Sequence, residues 1–456
     1  MNALQKLAHF VCAFSLEEAP PEVARAARFC VLDTVGSALG AAKSEGTPEL
    51  CREYLRYAGG KNDLQADVWG QGVQSDMVSA LLLNGMMGHA LELDDVHTGS
   101  KSHVGVVVVQ TAWTLCDALG LGGKALLEAV VVGYEVMARA GLGMDVASNR
   151  KRGWHTTGVI GTFGAAAAAC RLLGLGERET ANALGIAAMQ SAGLWAFLEE
   201  GATCKRLSPG RAAVNGLTAA LLAKGGMTGP MRALDAKDGG LYLAVSDSFD
   251  MEAVTRGLGS DYAVLHIDKK PYPCCRTTHH AIDAAIAFHE AGVDPQAIER
   301  ITVDTYEVGV LKCGSDRYPL SPVEAKFSIA YTVACGLVLG RVTQGEFTQR
   351  VLDNPLIRYL AEHTVVRADE QFTARYPGRW GSRTTLLMKD ASSRCIQIDD
   401  MSGSTRVPLS EKQEKDKFLG LAGAVFDEDE ARRLMNDILR IDELERLPRL
   451  RADDAR

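Results

Sequence analysis

Most of the short signatures that announce a chemistry are missing from this chain. It has no GxGxxG turn after a strand, no P-loop, no HExxH and no GxSxG. That removes the main support for dinucleotide, phosphoryl-transfer and serine-hydrolase readings. The eleven cysteines are scattered from Cys12 to Cys395 without a CxxC pair. They form neither a secreted disulfide framework nor the ligand set of an iron–sulfur lyase, and predict reduced, mostly buried thiols in a cytoplasm. Aromatic residues are few, at 6%. An excess of positive charge is absent too: the formal net charge of −8 argues against nucleic acid as the main partner. The longest runs without Asp, Glu, Lys or Arg are Gly153–Cys170 and Thr180–Leu198. Both are too rich in glycine, alanine and polar residues for a bilayer span, so no membrane partner is expected. The opening MNALQKLAHFVCAF lacks a charged leader and a small-residue cleavage site, so no signal peptide is expected.

What is present is small and apolar. The chain has 456 residues, 47% of them hydrophobic, with 46 glycines and long alanine runs. That length predicts two or three domains, and small residues let helices approach closely. Up to about residue 260 the pattern is helical. Pro20-Pro21-Glu22 opens a segment with helical apolar spacing through Ala42, and Ser75-Asp76 caps another running to Asp95. Further helices are expected over 124–138, 156–173, 177–192 and 209–224. After about Ser260 the texture becomes mixed. Ile301–Tyr306, Thr384–Met388 and Cys395–Ile398 read as strands, the last two as a hairpin. Helices are expected over 281–290 and 322–339, with a short one near 346–352. Residues 410–447 return to amphipathic helix that packs back on the first domain, and 448–456 read as a frayed tail. The expected fold is mainly α, with a large helical domain (1–262 joined by 405–456) and a smaller α+β domain (263–404).

Four segments carry candidate chemistry. The first is His89-Ala-Leu-Glu92-Leu-Asp94-Asp95-Val-His97 with Lys101-Ser102-His103. Acidic residues are unfavourable beside the negative end of a helix, so this cluster points to a site. Acid/base catalysis and metal ligation both fit it. The second is His155, at a helix N-terminus that favours a neutral imidazole. The third is Lys205-Arg206-Leu-Ser208-Pro-Gly-Arg211, cations at the start of a helix where anions bind. The fourth is Lys269-Lys270-Pro-Tyr-Pro-Cys274-Cys275-Arg276-Thr-Thr-His279-His280, whose cations would depress a thiol's pKa.

Together these segments resemble the MmgE/PrpD family. The carrying residues are the acidic motif with His103, then His155-Thr-Thr-Gly158 running into Gly161-Thr-Phe-Gly164. Lys205 with Gly210 and Asn215-Gly216 follows, then Lys270-Pro-Tyr-Pro-Cys-Cys and Glu324-Ala-Lys326-Phe-Ser328. The resemblance implies a helical domain and an α+β lid with the active site between them, a homodimer, and no metal or organic cofactor. It implies a di- or tricarboxylate substrate and a lyase most like 2-methylcitrate dehydratase, with cis-aconitate decarboxylation or iminodisuccinate epimerisation as alternatives on the same fold. Carried over by residue, the catalytic set is Asp94, His103, His155, Lys205 and Lys270. Glu92, Lys101, Arg206, Ser208, Cys275 and Arg276 are left to bind substrate. The chain departs from the family pattern at His103-Val104 in place of His-Pro, at Ser208 in place of histidine, and at Cys275, where the decarboxylase carries histidine. From another class, the acidic–His motif suggests a metal-dependent hydrolase.

Overall fold

A computed structural model describes residues 1–451. It is mostly α-helical with small sheets. The contacts within it divide the chain into two units: Met1–Trp195 with Cys204–Asp268 and Ser410–Arg456, and Ala196–Thr203 with Lys269–Leu409. Among the described residues, no helix is long and apolar enough to cross a membrane.

In the first unit the helix Thr156–Leu172 is the central rod, packed by Gly105–Leu119, Gly123–Leu142, Glu177–Ala188 and Leu207–Lys224. Its residues from Thr156 to Cys170 are all buried, which is why its sequence is apolar all round and not striped. Close approach explains the small residues. A Cβ on Gly216 would stand 2.6 Å from the Thr162 carbonyl oxygen and 2.5 Å from the Ala165 Cβ, so alanine there would force the rods apart. The C-terminal helices Glu411–Ala422 and Glu428–Leu439 pack on Pro21–Ala42. Each is opened by a capping box, Ser410 with Gln413 and Asp427 with Glu430. Phe418, 1% exposed, lies on Gly36 of the Pro21 helix.

The second unit is built on a four-stranded sheet in the order β6-β5-β7-β8: β5 is Ile298–Thr305, β6 Thr364–Ala368, β7 Ser382–Met388 and β8 Ser393–Ile398. β5 and β6 run parallel, and the other neighbours antiparallel. Burial alternates strictly along β7, as expected of a strand with one packed face. The helix His279–Glu290 packs on β7, β8 and the helix Ile329–Leu339.

Several expectations need correction. The first unit is not helical throughout. Gln65–Val68 and Val73–Asp76 form a hairpin, β1–β2, turned by Gly70 and Gly72 at φ 68° and 72°. Val96–His97 pairs with Ile267–Asp268 as β3–β4. The helix after Asp76 stops at Gly88, so the acidic motif is irregular chain beyond a helix and not its last turn. The helix expected from Pro209 starts at Leu207, placing Arg211 in its second turn, exposed. The one expected over 322–339 is broken, because Ser328 caps a new helix at Ile329. Helix 177–192 ends at Ala188, and 346–352 keeps helix only over Gln349–Leu352.

The tail is not frayed as far as it is described, and residues 452–456 lie outside the described residues. Leu450 is fully buried; its N–H donates to Asp67 Oδ2 at 3.2 Å, and its carbonyl accepts from Gly70 at 2.7 Å. Truncation after Leu447 is therefore expected to cost about 2–4 kcal/mol, a buried leucine plus two hydrogen bonds. It should lower the first transition of a thermal melt, and an unchanged melt would show that the tail adds nothing.

Candidate active site

The site grows from the irregular segment between two helices of the first unit. His89 is the C-cap of Met77–Gly88, and the chain then runs to Gly105 before helix resumes. Among the described residues three non-glycines adopt positive φ: Glu92 at 58°, Lys101 at 51°, and Ala391 elsewhere. Two of the three are thus ionisable residues on either side of Asp94. Strained backbone of this kind persists where the surroundings over-determine it.

Asp94 is the hub. Its side chain is fully buried, and its Oδ2 lies 2.9 Å from His89 Nδ1 and 2.8 Å from His103 Nδ1. Burial alone would raise the carboxyl, but the two imidazoles override it and hold it well below the usual carboxylate range. An ionised Asp94 accepts only, so His89 Nδ1 donates to it, while His103 Nδ1 meets the same oxygen as an ion pair. His89 Nε2 stands 3.8 Å from Glu92 Oε1, and the same Glu92 oxygen pairs with the Lys205 ammonium, itself buried. Lys205 Nζ lies 5.8 Å from the Trp195 ring centre. His155 stacks on His89 at 6.0 Å and meets Trp195 edge-on at 5.4 Å. Thr157 ties the segment to the central helix, its Oγ1 accepting the His103 N–H at 3.0 Å. Asp94, His103, His155, Glu92 and Lys205 are therefore one cluster, of which the His103 side chain, 14% exposed, reaches outward.

His155 stands at the N-cap position of the central helix without a side-chain capping bond, and its pKa is well below the ordinary histidine value. The main cause is burial, then the charge of Lys205, where the sequence argument had invoked the helix end. Lys101 is buried in the tight turn that brings His97 back to Ser102. Arg206 turns away to Thr47, whose Oγ1 it bonds at 3.2 Å, and Ser208 is half-buried at the helix start. Trp195 and His89 are participants that sequence reasoning left out of the site set. His89 was findable as the residue three before Glu92 and five before Asp94.

Lys270, Cys275 and Arg276 belong to the second unit. Lys270 is fully buried. The Cys275 N–H donates to the Lys326 carbonyl at 2.9 Å. Arg276 Nη1 donates 2.8 Å to the Ser402 carbonyl and lies 2.9 Å from His279 Nδ1. Burial pushes the Cys274 thiol up to about 12, with the Thr278 hydroxyl and then Lys270 opposing it. His279 and His280 open a helix with both rings buried, and burial pushes His280 down to about 3.

His89, Asp94 and His103 could offer three metal ligands, their donor atoms within 4.8 Å of one another. Two features argue for hydrogen bonding instead. His89 Nδ1 and Asp94 Oδ2 are at the separation of a charge-assisted hydrogen bond, and His103 Nδ1 closes on the same oxygen as an ion pair. The Lys205 cation also already faces the cluster through Glu92, so a divalent ion would meet its repulsion.

Residues 5–253 match the MmgE/PrpD N-terminal domain and residues 272–441 the MmgE/PrpD C-terminal domain. A cis-aconitate decarboxylase-like protein of Aspergillus oryzae is 27% identical over 97% of this chain and 95% of its own. Human cis-aconitate decarboxylase is 27% identical over 91% of this chain and 86% of its own. The 2-methylcitrate dehydratase of Salmonella typhimurium is 27% identical over 77% of this chain and 74% of its own.

The turn that carries Lys101 sets a pH dependence. His97 is buried, with Nδ1 2.9 Å from Ser100 Oγ and 3.1 Å from the Ser100 N–H. Burial, then the charge of His266, pushes it down to about 4. An unfolded chain takes up that proton near pH ~6.5, so between there and about 4 the unfolded state binds more protons and stability falls with pH. The ceiling is about 3 kcal/mol for a shift of this size. Denaturation profiles at pH 7 and pH 4.5 should show this loss, and His97→Gln should make it smaller by a comparable amount. An equal loss in both proteins would remove His97 as its source.

Proposed function

The chain belongs to the MmgE/PrpD family, and on that premise we propose that it is a lyase acting on a di- or tricarboxylate through a carbanion beside a carboxylate. The observation that carries this is Asp94 shared by two imidazoles, with a buried Lys205 next to them. His103 Nε2 is the base: with Nδ1 held by Asp94 it takes the proton from carbon, and the imidazolium formed rests on a carboxylate. The electron pair left on carbon moves into the neighbouring carboxylate as an enediolate. Lys205, set on Glu92 when no substrate is bound, exchanges that partner for the substrate's charge. Lys270 and Arg276 are carried in the same proposal as further carboxylate-binding cations, and Cys275 as a substrate contact.

Elimination is the first reading. The enediolate expels a β-hydroxyl that leaves as water once protonated, as in 2-methylcitrate dehydratase, and the cluster offers several proton-transfer groups for the two transfers. Decarboxylation is the second, favoured by relatives of that name that align over nearly the whole chain. There the C–CO₂ bond breaks, its electron pair moves into the neighbouring carboxylate as an enediolate, and an imidazole that has first taken up a proton from solvent gives it to carbon. The homodimer implied by the family belongs to the same proposal, and sedimentation reads it directly.

The test is NMR of the purified protein in D₂O with a panel of hydroxy-, unsaturated and amino-di- and tricarboxylates, scored for water loss, CO₂ loss and deuterium at carbon. Turnover of a carboxylate is expected, with His103→Asn lowering kcat by about 10²–10⁴ and Lys205→Met by about 10²–10³. Turnover in His103→Asn within twofold of the parent, on the order of experimental error against those losses, would remove it as base.

A further inference from the structure

The shared position of Asp94 leaves little room for error, because one oxygen must meet two rings at nearly the same distance, 2.8 and 2.9 Å. The peptide that carries it is held from both sides. On one side is Lys417, from the C-terminal helix Glu411–Ala422. Its Nζ donates 2.7 Å to the carbonyl oxygen of Leu93, 324 residues away, and 2.7 Å to Asp33 Oδ1. The pair is nearly dry, with side chains 12% and 3% exposed. On the other side is Asp95, fully buried. Its Oδ1 accepts the Gly105 N–H at 2.9 Å and its Oδ2 the Tyr134 hydroxyl at 2.6 Å. Gly105 is required there, since a Cβ would stand 2.2 Å from Thr34 Oγ1 and 2.7 Å from the Tyr134 hydroxyl oxygen. Asp95 thereby clamps both ends of the loop that carries His103.

We propose that Lys417 is a positioning residue: through the Leu93 carbonyl it holds the Asp94 peptide where its carboxylate is shared by His89 and His103. The inference rests on the reading of His103 as base. The competing account is that Lys417 only neutralises Asp33. A buried carboxylate left alone is strongly destabilising, so removal of Lys417 by itself does not separate the two. Removing both charges does. It relieves the lone Asp33 and still leaves the Leu93 carbonyl without its donor.

The experiment compares Lys417→Met, Lys417→Met with Asp33→Asn, and Lys417→Arg, by thermal melt, by kcat and KM on whichever carboxylate the parent turns over, and by the downfield imidazole N–H proton resonances of His89 and His103. Lys417→Met is expected to melt lower and to lose about tenfold or more in kcat with KM nearly unchanged, because a small misplacement of a catalytic group is costly. The double variant should regain the parent's melting temperature and keep the low kcat and altered resonances. Lys417→Arg, which can still donate to both acceptors, should recover most of the rate. A double variant with the parent's kcat, or with the parent's resonances, overturns the proposal. If Lys417→Met does not fold, the double variant and Lys417→Arg still decide. If the parent turns over no carboxylate, the functional reading fails, and the resonances alone judge the positioning.

Discussion

A carboxylate sealed from water is stable only where something else keeps it charged, and in this protein that something is a pair of imidazoles. Asp94 has no exposed side-chain surface, and among the described residues its shared oxygen meets no lysine or arginine, only the Nδ1 atoms of His89 and His103. Each interaction depends on the others. Ionised Asp94 accepts from His89 Nδ1 and pairs with His103 Nδ1. Beside His89, Glu92 holds Lys205, and Lys205 in turn helps to keep His155 neutral. Desolvation makes every one of these terms larger than it would be in water, so the cluster works as one electrostatic object.

The scaffold is arranged to keep that object dry and still. The central helix is buried on every side because its glycines and alanines admit neighbouring rods at close range. It brings Thr157 to the His103 backbone and presents His155 at its N-cap position. The C-terminal helices complete the same unit by covering Pro21–Ala42, and Lys417 extends from them to the acidic segment. The cost is visible in the backbone, where Glu92 and Lys101 adopt conformations that L-residues avoid.

What could be read from the chain beforehand followed from locality. Periodic segments such as 156–173 and 281–290 were found within a residue or two, because helical spacing and caps are written in consecutive residues. The strand at Ile301 and the pair near Thr384 and Cys395 were also legible through alternation. The hairpin around Gly70 was missed although Trp69-Gly-Gln-Gly72 carries the turn, since four-residue strands give too short a pattern. Within the site, the grouping of acidic and imidazole side chains near 90–103 was legible. Its wiring was not. Glu92 meets Lys205 across 113 residues, Lys417 meets Leu93 across 324, and Trp195 joins only through the folding of the chain around it. At Cys274 desolvation outweighs the nearby cations, a balance set by burial and not by neighbours in sequence.

The central claim is that an ionised Asp94 draws an Nδ1 proton from each of two histidines and so leaves His103 Nε2 as the base. Imidazole nitrogen NMR on ¹⁵N-histidine protein at neutral pH reads this directly, with His89→Gln and His103→Gln to assign the signals. The account predicts that His89 and His103 both carry hydrogen on Nδ1, and that His103 Nε2 has the shift of an unprotonated nitrogen. A His103 protonated on Nε2 with Nδ1 bare would contradict it.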